Sequence, residues 1–166
     1  MKYFALILLS LIPILIGIWK SEDLKQKMKL REGFLAFLEE IRFQIQMFNR
    51  DQKEIYSGFE NLLLTKCGFL PDLIKETNEN PLGALSRTVE FHLADFSFSK
   101  RSEDCILSLS KHFGTQSRER QLEELDGSIH FLREEMVREK DRVLNKIKTI
   151  RISGFAAGLG IFILLI

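Results

Sequence analysis

Residues 117–166 read SRERQLEELDGSIHFLREEMVREKDRVLNKIKTIRISGFAAGLGIFILLI. Leu122, Leu125, Ile129, Leu132 and Met136 step by three and four, and Val143, Ile147 and Ile150 resume the line across polar Glu139 and Lys140. That spacing sets one apolar stripe on a long helix. No Gly or Pro interrupts 128–153. From Ile152 onward the charges vanish and every residue is apolar or small, with Gly154, Gly158 and Gly160 among them. An amphipathic helix in water is therefore expected to continue without a break into a lipid-facing segment. This stalk organises the chain.

The other end carries a matching signal. Residues 3–19 form a run without charge, flanked by Lys2 and Lys20. It lies at the short end of what spans a hydrocarbon core of about 30 Å. A cleavable signal peptide would need a small-residue cleavage site, and Gly17-Ile18-Trp19-Lys20 does not offer one. Trp19 beside Lys20 has the chemistry of an interfacial anchor, and a membrane helix tolerates Pro13. The expected plan is a transmembrane anchor at 1–20, a helical-bundle domain at 21–151 and a second transmembrane segment at 152–166.

Charge decides the orientation of that plan. Residues 20–31 hold Lys20, Lys25, Lys27, Lys29 and Arg31 against Glu22 and Asp23. Residues 138–151 hold Arg138, Lys140, Arg142, Lys146, Lys148 and Arg151 against Glu139 and Asp141. Basic residues next to membrane segments stay on the cytoplasmic side. The body is thus expected to face the cytoplasm, from a cell membrane crossed twice.

The net charge of +1 hides an asymmetry, because residues 32–137 carry −7. An acidic body argues against a nucleic-acid partner, since phosphate binding needs a basic face. Cys67 and Cys105 lie far apart with no metal or redox spacing, which suits a reducing compartment.

No part of the body alternates with period two, so an all-α bundle is expected. Phe34, Leu38, Ile41, Ile45 and Phe48 place one helix at 21–48. A break at 49–51 follows, where Asp51-Gln-Lys-Glu54 has the form of a capping box. The next helix should turn Ile55, Phe59, Leu62 and Leu63 inward. Gly68 suits its C-cap and Pro71 a new first turn, giving a turn or two at 72–76 and a loop at 77–80. Asn80 and Pro81 should then open a helix with Leu82, Leu85, Val89, Leu93 and Phe96 on one line. Ser102 should cap another, burying Ile106, Leu109 and Phe113 before Gly114 stops it.

Chemistry-bearing patterns are missing. There is no phosphate loop, no serine elbow and no cysteine beside a plausible base. His92, His112 and His130 sit on separate expected helices. His92, beside an apolar line, reads as a satisfied, partly buried side chain. Neighbouring acids such as Glu123-Glu124 point about 100° apart on a helix and read as solvated face. No catalytic residue, metal site, cofactor or small-molecule substrate is expected. In the tail, Gly154, Ala157 and Gly158 make a small surface of the kind that lets membrane helices approach closely. The nearest partner is the 3–19 segment of the same chain, then a second copy in a homo-oligomer.

The chain resembles the stage III sporulation protein AB family of endospore-forming bacteria. The plan of anchor, helical middle and second anchor carries part of the likeness. The family has approximately Leu-Gly-x-Ser/Thr-Asp-x-x-x-Gln before the stalk, and here Phe113-Gly114-Thr115-Gln116-Ser117-Arg118-Glu119-Arg120-Gln121 matches at Gly114 and Gln121. Ser117 replaces the usual Asp and Phe113 the usual Leu, each keeping its role as cap or core residue. The Gly-x-x-x-Gly of 154–158 matches the family's apolar ending. The resemblance implies a non-catalytic platform in the channel complex between mother cell and forespore. It also implies a soluble domain similar to the inner-membrane platform domains of type II secretion, with a cytoplasmic ATPase and other membrane subunits as partners. Acidic Glu123, Glu124 and Asp126 on the stalk are candidate docking residues for a basic ATPase patch. The competing reading is a membrane-anchored sensor or signalling adaptor unrelated to sporulation.

Overall fold

Apolar spacing of three and four throughout the body leaves helices as the way to bury it, and the described residues of the computed structural model form seven. It describes residues 2–48 and 50–165, with side chains at 11–48, 50–161 and 163. In order they are α1 (Lys2–Phe48), α2 (Gln52–Gly58), α3 (Leu62–Lys66), α4 (Phe69–Glu79), α5 (Ala84–Phe96), α6 (Lys100–His112) and α7 (Arg118–Leu165). Among the described residues there is no strand.

The chain divides into two compact units, one of residues 27–136 and one of residues 1–26 with 137–166. In the larger unit, one stripe of α1 buries Leu30, Phe34, Phe37, Leu38, Ile41 and Ile45, which places the helix at the centre of the core. Phe34 touches Phe69 of α4 and Phe96 of α5, with ring centroids 5.6 and 5.0 Å apart. Phe69 and Phe96 close that triangle at 5.6 Å. Offset and edge-on ring pairs of this kind add about 0.5–1.5 kcal/mol each beyond their area burial. From α7, Leu125, Ile129 and Leu132 complete the core.

Side chains close the helix ends. Arg118 Nη2 donates to the carbonyls of Ile45 and Gln46 at 2.9 and 2.8 Å, satisfying acceptors in the last turn of α1. Arg31 Nε donates to the Phe96 carbonyl at 2.8 Å, and the same guanidinium bonds the Ser97 carbonyl where α5 ends.

Several local expectations give way. α4 runs on to Glu79 because Thr77 is buried and its hydroxyl donates to the Leu73 carbonyl at 2.6 Å, so 77–79 is helix and not loop. The short helix after the first break is two helices. α2 ends at Gly58, and Asn61 caps α3 by accepting from the backbone of Leu63 and Leu64, which leaves Leu62 69% exposed. The Asp51 side chain makes no capping bond. α5 starts from Gly83 and not from Asn80, with Leu82 facing water. Ser99, not Ser102, caps α6 through the Ser102 backbone N–H at 3.3 Å. Asn49, part of the expected break, lies outside the described residues.

In the smaller unit, α1 and α7 pair through glycine. Among the described residues no helix is long and apolar enough to cross a membrane. The expected anchors also take in side chains 3–10, 162 and 164–166, which lie outside the described residues.

Candidate functional site

Gly114, Ser117 and Gln121 meet in one turn. Phe113 ends α6 with its N–H on the Leu109 carbonyl at 3.1 Å, and Gly114 follows at a φ of 86°. That left-handed conformation crowds the Cβ of any L-residue. Ser117 offers its carbonyl to the Gln121 N–H at 3.0 Å, the first bond of α7. The Gln121 side chain reaches back to the Gln116 carbonyl at 2.8 Å, and the Gln116 amide donates to Glu124 Oε1 at 3.0 Å. The three residues thus close α6 and start α7. Each acts through backbone or amide groups.

The three acids separate. Glu123 is exposed, Glu124 is half-buried within the turn's hydrogen bonds, and Asp126 pairs with Arg42 of α1. Of the three, and among the described residues, Glu123 alone presents a carboxylate that nothing in the turn or on α1 holds.

The packing surface in the smaller unit is built from both helices. A Cβ on Gly154 would lie 2.8 Å from the Pro13 carbonyl oxygen and 3.3 Å from Gly17 Cα. A Cβ on Gly17 would lie 3.1 Å from the Ile150 carbonyl oxygen. Backbone meets backbone there, which only glycine permits. Gly158 is buried in the same unit, whereas Ala157 is exposed and does not share that face. One turn further along α1, Ser21 is fully buried and accepts from Arg151 Nε at 2.9 Å. Arg151 Nη2 donates to Glu22 at 2.8 Å. Gly17, Ser21 and Arg151 form the other half of this surface. Glycine at 17, four residues after Pro13, was its one visible mark in the sequence.

His92 is buried in the larger unit, with Nδ1 2.8 Å from Asp95 and Nε2 2.9 Å from Asp72. Both carboxylates are about half exposed, so this is a polar strap between α4 and α5 at the surface. A neutral ring can donate to only one of them. Burial pushes the Cys67 and Cys105 thiols upward, away from the nucleophilic thiolate. Among the described residues no group of three His, Cys, Asp or Glu side chains is placed to hold a metal ion.

Against known proteins, the model of the family described as stage III sporulation protein AB matches residues 2–166. The chain belongs to the stage III sporulation protein AB family. No curated protein and no solved structure matches it. The match takes in the turn at Gly114 and the glycine pair at Gly154 alike. A role in sporulation follows, which sets aside the adaptor unrelated to that process.

Proposed function

We propose that the chain is a non-catalytic membrane scaffold of the channel complex between mother cell and forespore. Its body docks a cytoplasmic secretion-type ATPase, and its two ends hold it in the membrane of the mother cell. One observation carries the membrane part. The smaller unit buries Gly17 and Gly158, half-buries Gly154, and turns Leu15, Ile16, Trp19, Ile152, Phe155 and Ile163 outward. Water-soluble units do the reverse, since burying large apolar side chains drives their folding. Small residues inside and large ones outside suit a lipid solvent, where close backbone packing replaces the hydrophobic drive. Residues 3–10, 162 and 164–166, whose side chains lie outside the described ones, lengthen both apolar runs in sequence. On this reading 1–20 and 152–166 are the anchors and 21–151 the cytoplasmic body.

The acidic charge of 32–137 is the support for a basic protein partner, because complementary charge sets association rate and specificity. The scaffold reading needs no chemistry from the turn at Gly114, which serves to end α6 and start α7.

A cysteine at Lys100, whose side chain is 84% exposed, tests the topology in a chain freed of Cys67 and Cys105. In intact cells it should react with a membrane-permeant maleimide and not with an impermeant one, and alkaline carbonate should leave the protein in the membrane pellet. Labelling by the impermeant reagent, or release by carbonate, would overturn the proposal.

A further inference from the structure

Alongside the glycine contact, the smaller unit carries an apolar groove of about 530 Å³ walled by Ile14 and Ile18 of α1 and by Ile152 and Phe155 of α7. Arg151 stands at one end. Its position is built. Nε donates to Ser21 Oγ at 2.9 Å, and Ser21 in turn donates to the carbonyl of Ile18, a groove wall, at 2.7 Å. Nη2 donates to Glu22, which also pairs with Lys25 at 2.9 Å. Among the described residues Nη1 makes no hydrogen bond, so the guanidinium keeps an edge for a further acceptor. Trp19, next in sequence to a wall residue and 73% exposed, is followed by Lys20.

We propose that this groove holds one anionic phospholipid, with an acyl chain along Ile14, Ile18, Ile152 and Phe155 and the phosphate on Arg151. The inference rests on the membrane reading above. An apolar slot ending in a fixed guanidinium matches the two halves of such a lipid, because arginine takes phosphate through paired N–H groups. Charge favours an anionic species over a zwitterionic one. In the sequence next to the groove's walls, Lys20, Lys25 and Arg151 outnumber Glu22 and Asp23, and basic pockets between membrane helices on the cytoplasmic side select anionic headgroups. Trp19 and Lys20 mark the depth at which headgroups lie.

Trp19 is the only tryptophan of the chain and supplies the probe. The full-length protein is reconstituted in phosphatidylcholine vesicles, and its fluorescence is followed as phosphatidylglycerol or phosphatidylcholine with brominated acyl chains is mixed in. The parent should prefer the anionic quencher by roughly fivefold, about what one basic side chain near an anionic surface contributes. Arg151→Gln should remove the preference and Arg151→Lys should keep part of it. Arg142→Gln, an equal charge change at an exposed site outside the groove, should leave it intact. Phe155→Ala removes a wall without touching charge and should weaken the preference, which covers the case in which Arg151→Gln fails to fold. Equal quenching by both lipids in the parent overturns the site, as does an equal loss in Arg142→Gln and Arg151→Gln or an unchanged preference in Phe155→Ala. Quenching by neither lipid would instead sink the membrane reading itself.

Discussion

The side-chain amide of Gln52 fills the space beside Gly114, so that a Cβ at position 114 would collide with Gln52 Nε2. Two independent constraints thus fall on one residue, since its φ of 86° already disfavours any side chain. Gly114→Val should destabilise the protein by about 1–2 kcal/mol from backbone strain alone, and by more if Gln52 cannot turn away. Gly114→Asn should cost less, because asparagine tolerates the left-handed region. Thermal unfolding followed by circular dichroism checks both. A Gly114→Val chain that melts like the parent would show that the turn does not hold α7.

Tyr56 is buried against Phe37, and among the described residues its hydroxyl has no hydrogen-bond partner. Removing that oxygen leaves the ring contact and ends the desolvation cost, so Tyr56→Phe should raise stability by about 1 kcal/mol. Burial also raises the phenol above its ordinary 10.0. The folded chain then keeps a proton that the unfolded chain releases, and the stabilisation falls as pH rises past that value. Cys67 and Cys105, raised from 9.0 in the same sense, add to the alkaline loss in both proteins. Urea titrations from neutral to alkaline pH should show Tyr56→Phe losing less stability than the parent. A lower midpoint for the variant at neutral pH would mean that the hydroxyl is satisfied.

Two glycines of α7 should respond with opposite signs. Nothing lies within 4 Å of a Cβ added at Gly127, so Gly127→Ala should gain about 0.5–1 kcal/mol from helix propensity and a stiffer unfolded chain. At Gly154 the same atom meets the Pro13 carbonyl at 2.8 Å, and backbone cannot step aside as a side chain can. Gly154→Leu should therefore force the two helices apart and lower the melting temperature of the full-length protein in detergent. A rise in both variants would mean that the Gly17–Gly154 approach contributes nothing.

The helical class and the stripes were legible because periodicity needs no tertiary information. Leu125, Ile129, Leu132 and Ile147 were drawn as one line in the sequence, and all four are buried. Helix ends were less legible. Ser99 and Ser102 are equally good caps in sequence, and which one serves depends on where the preceding chain is held. Thr77 looked like loop because its hydroxyl competes with backbone, yet burial turned that hydroxyl onto the Leu73 carbonyl. The site was half legible. Glycine at 154 and 158 stood out in an apolar run, whereas Ser21 and Arg151, 130 residues apart, become partners only through the fold.

The last prediction concerns the partner of the acidic body. Reversing Glu123, Glu124 and Asp126 together would mix two effects, since Glu124 accepts from Gln116 and Asp126 pairs with Arg42. Glu123 is exposed, so Glu123→Lys should leave stability within about 0.5 kcal/mol of the parent. Asp126→Lys would set two cations against each other, yet a largely exposed pair contributes only about 0.2–1 kcal/mol, so the bundle should still fold. If this face docks a basic ATPase surface, each change should slow association more than it speeds dissociation, as rim charges do. The parental rate should fall with salt once the screening length drops below about 8–10 Å, and the gap between parent and Glu123→Lys should narrow with it. The measurement is the association rate of the purified variants with the ATPase at low and high salt, with helicity recorded in parallel. Equal, salt-independent rates for parent, Glu123→Lys and Asp126→Lys would exclude this face of α7 and leave the contact to another helix of the body.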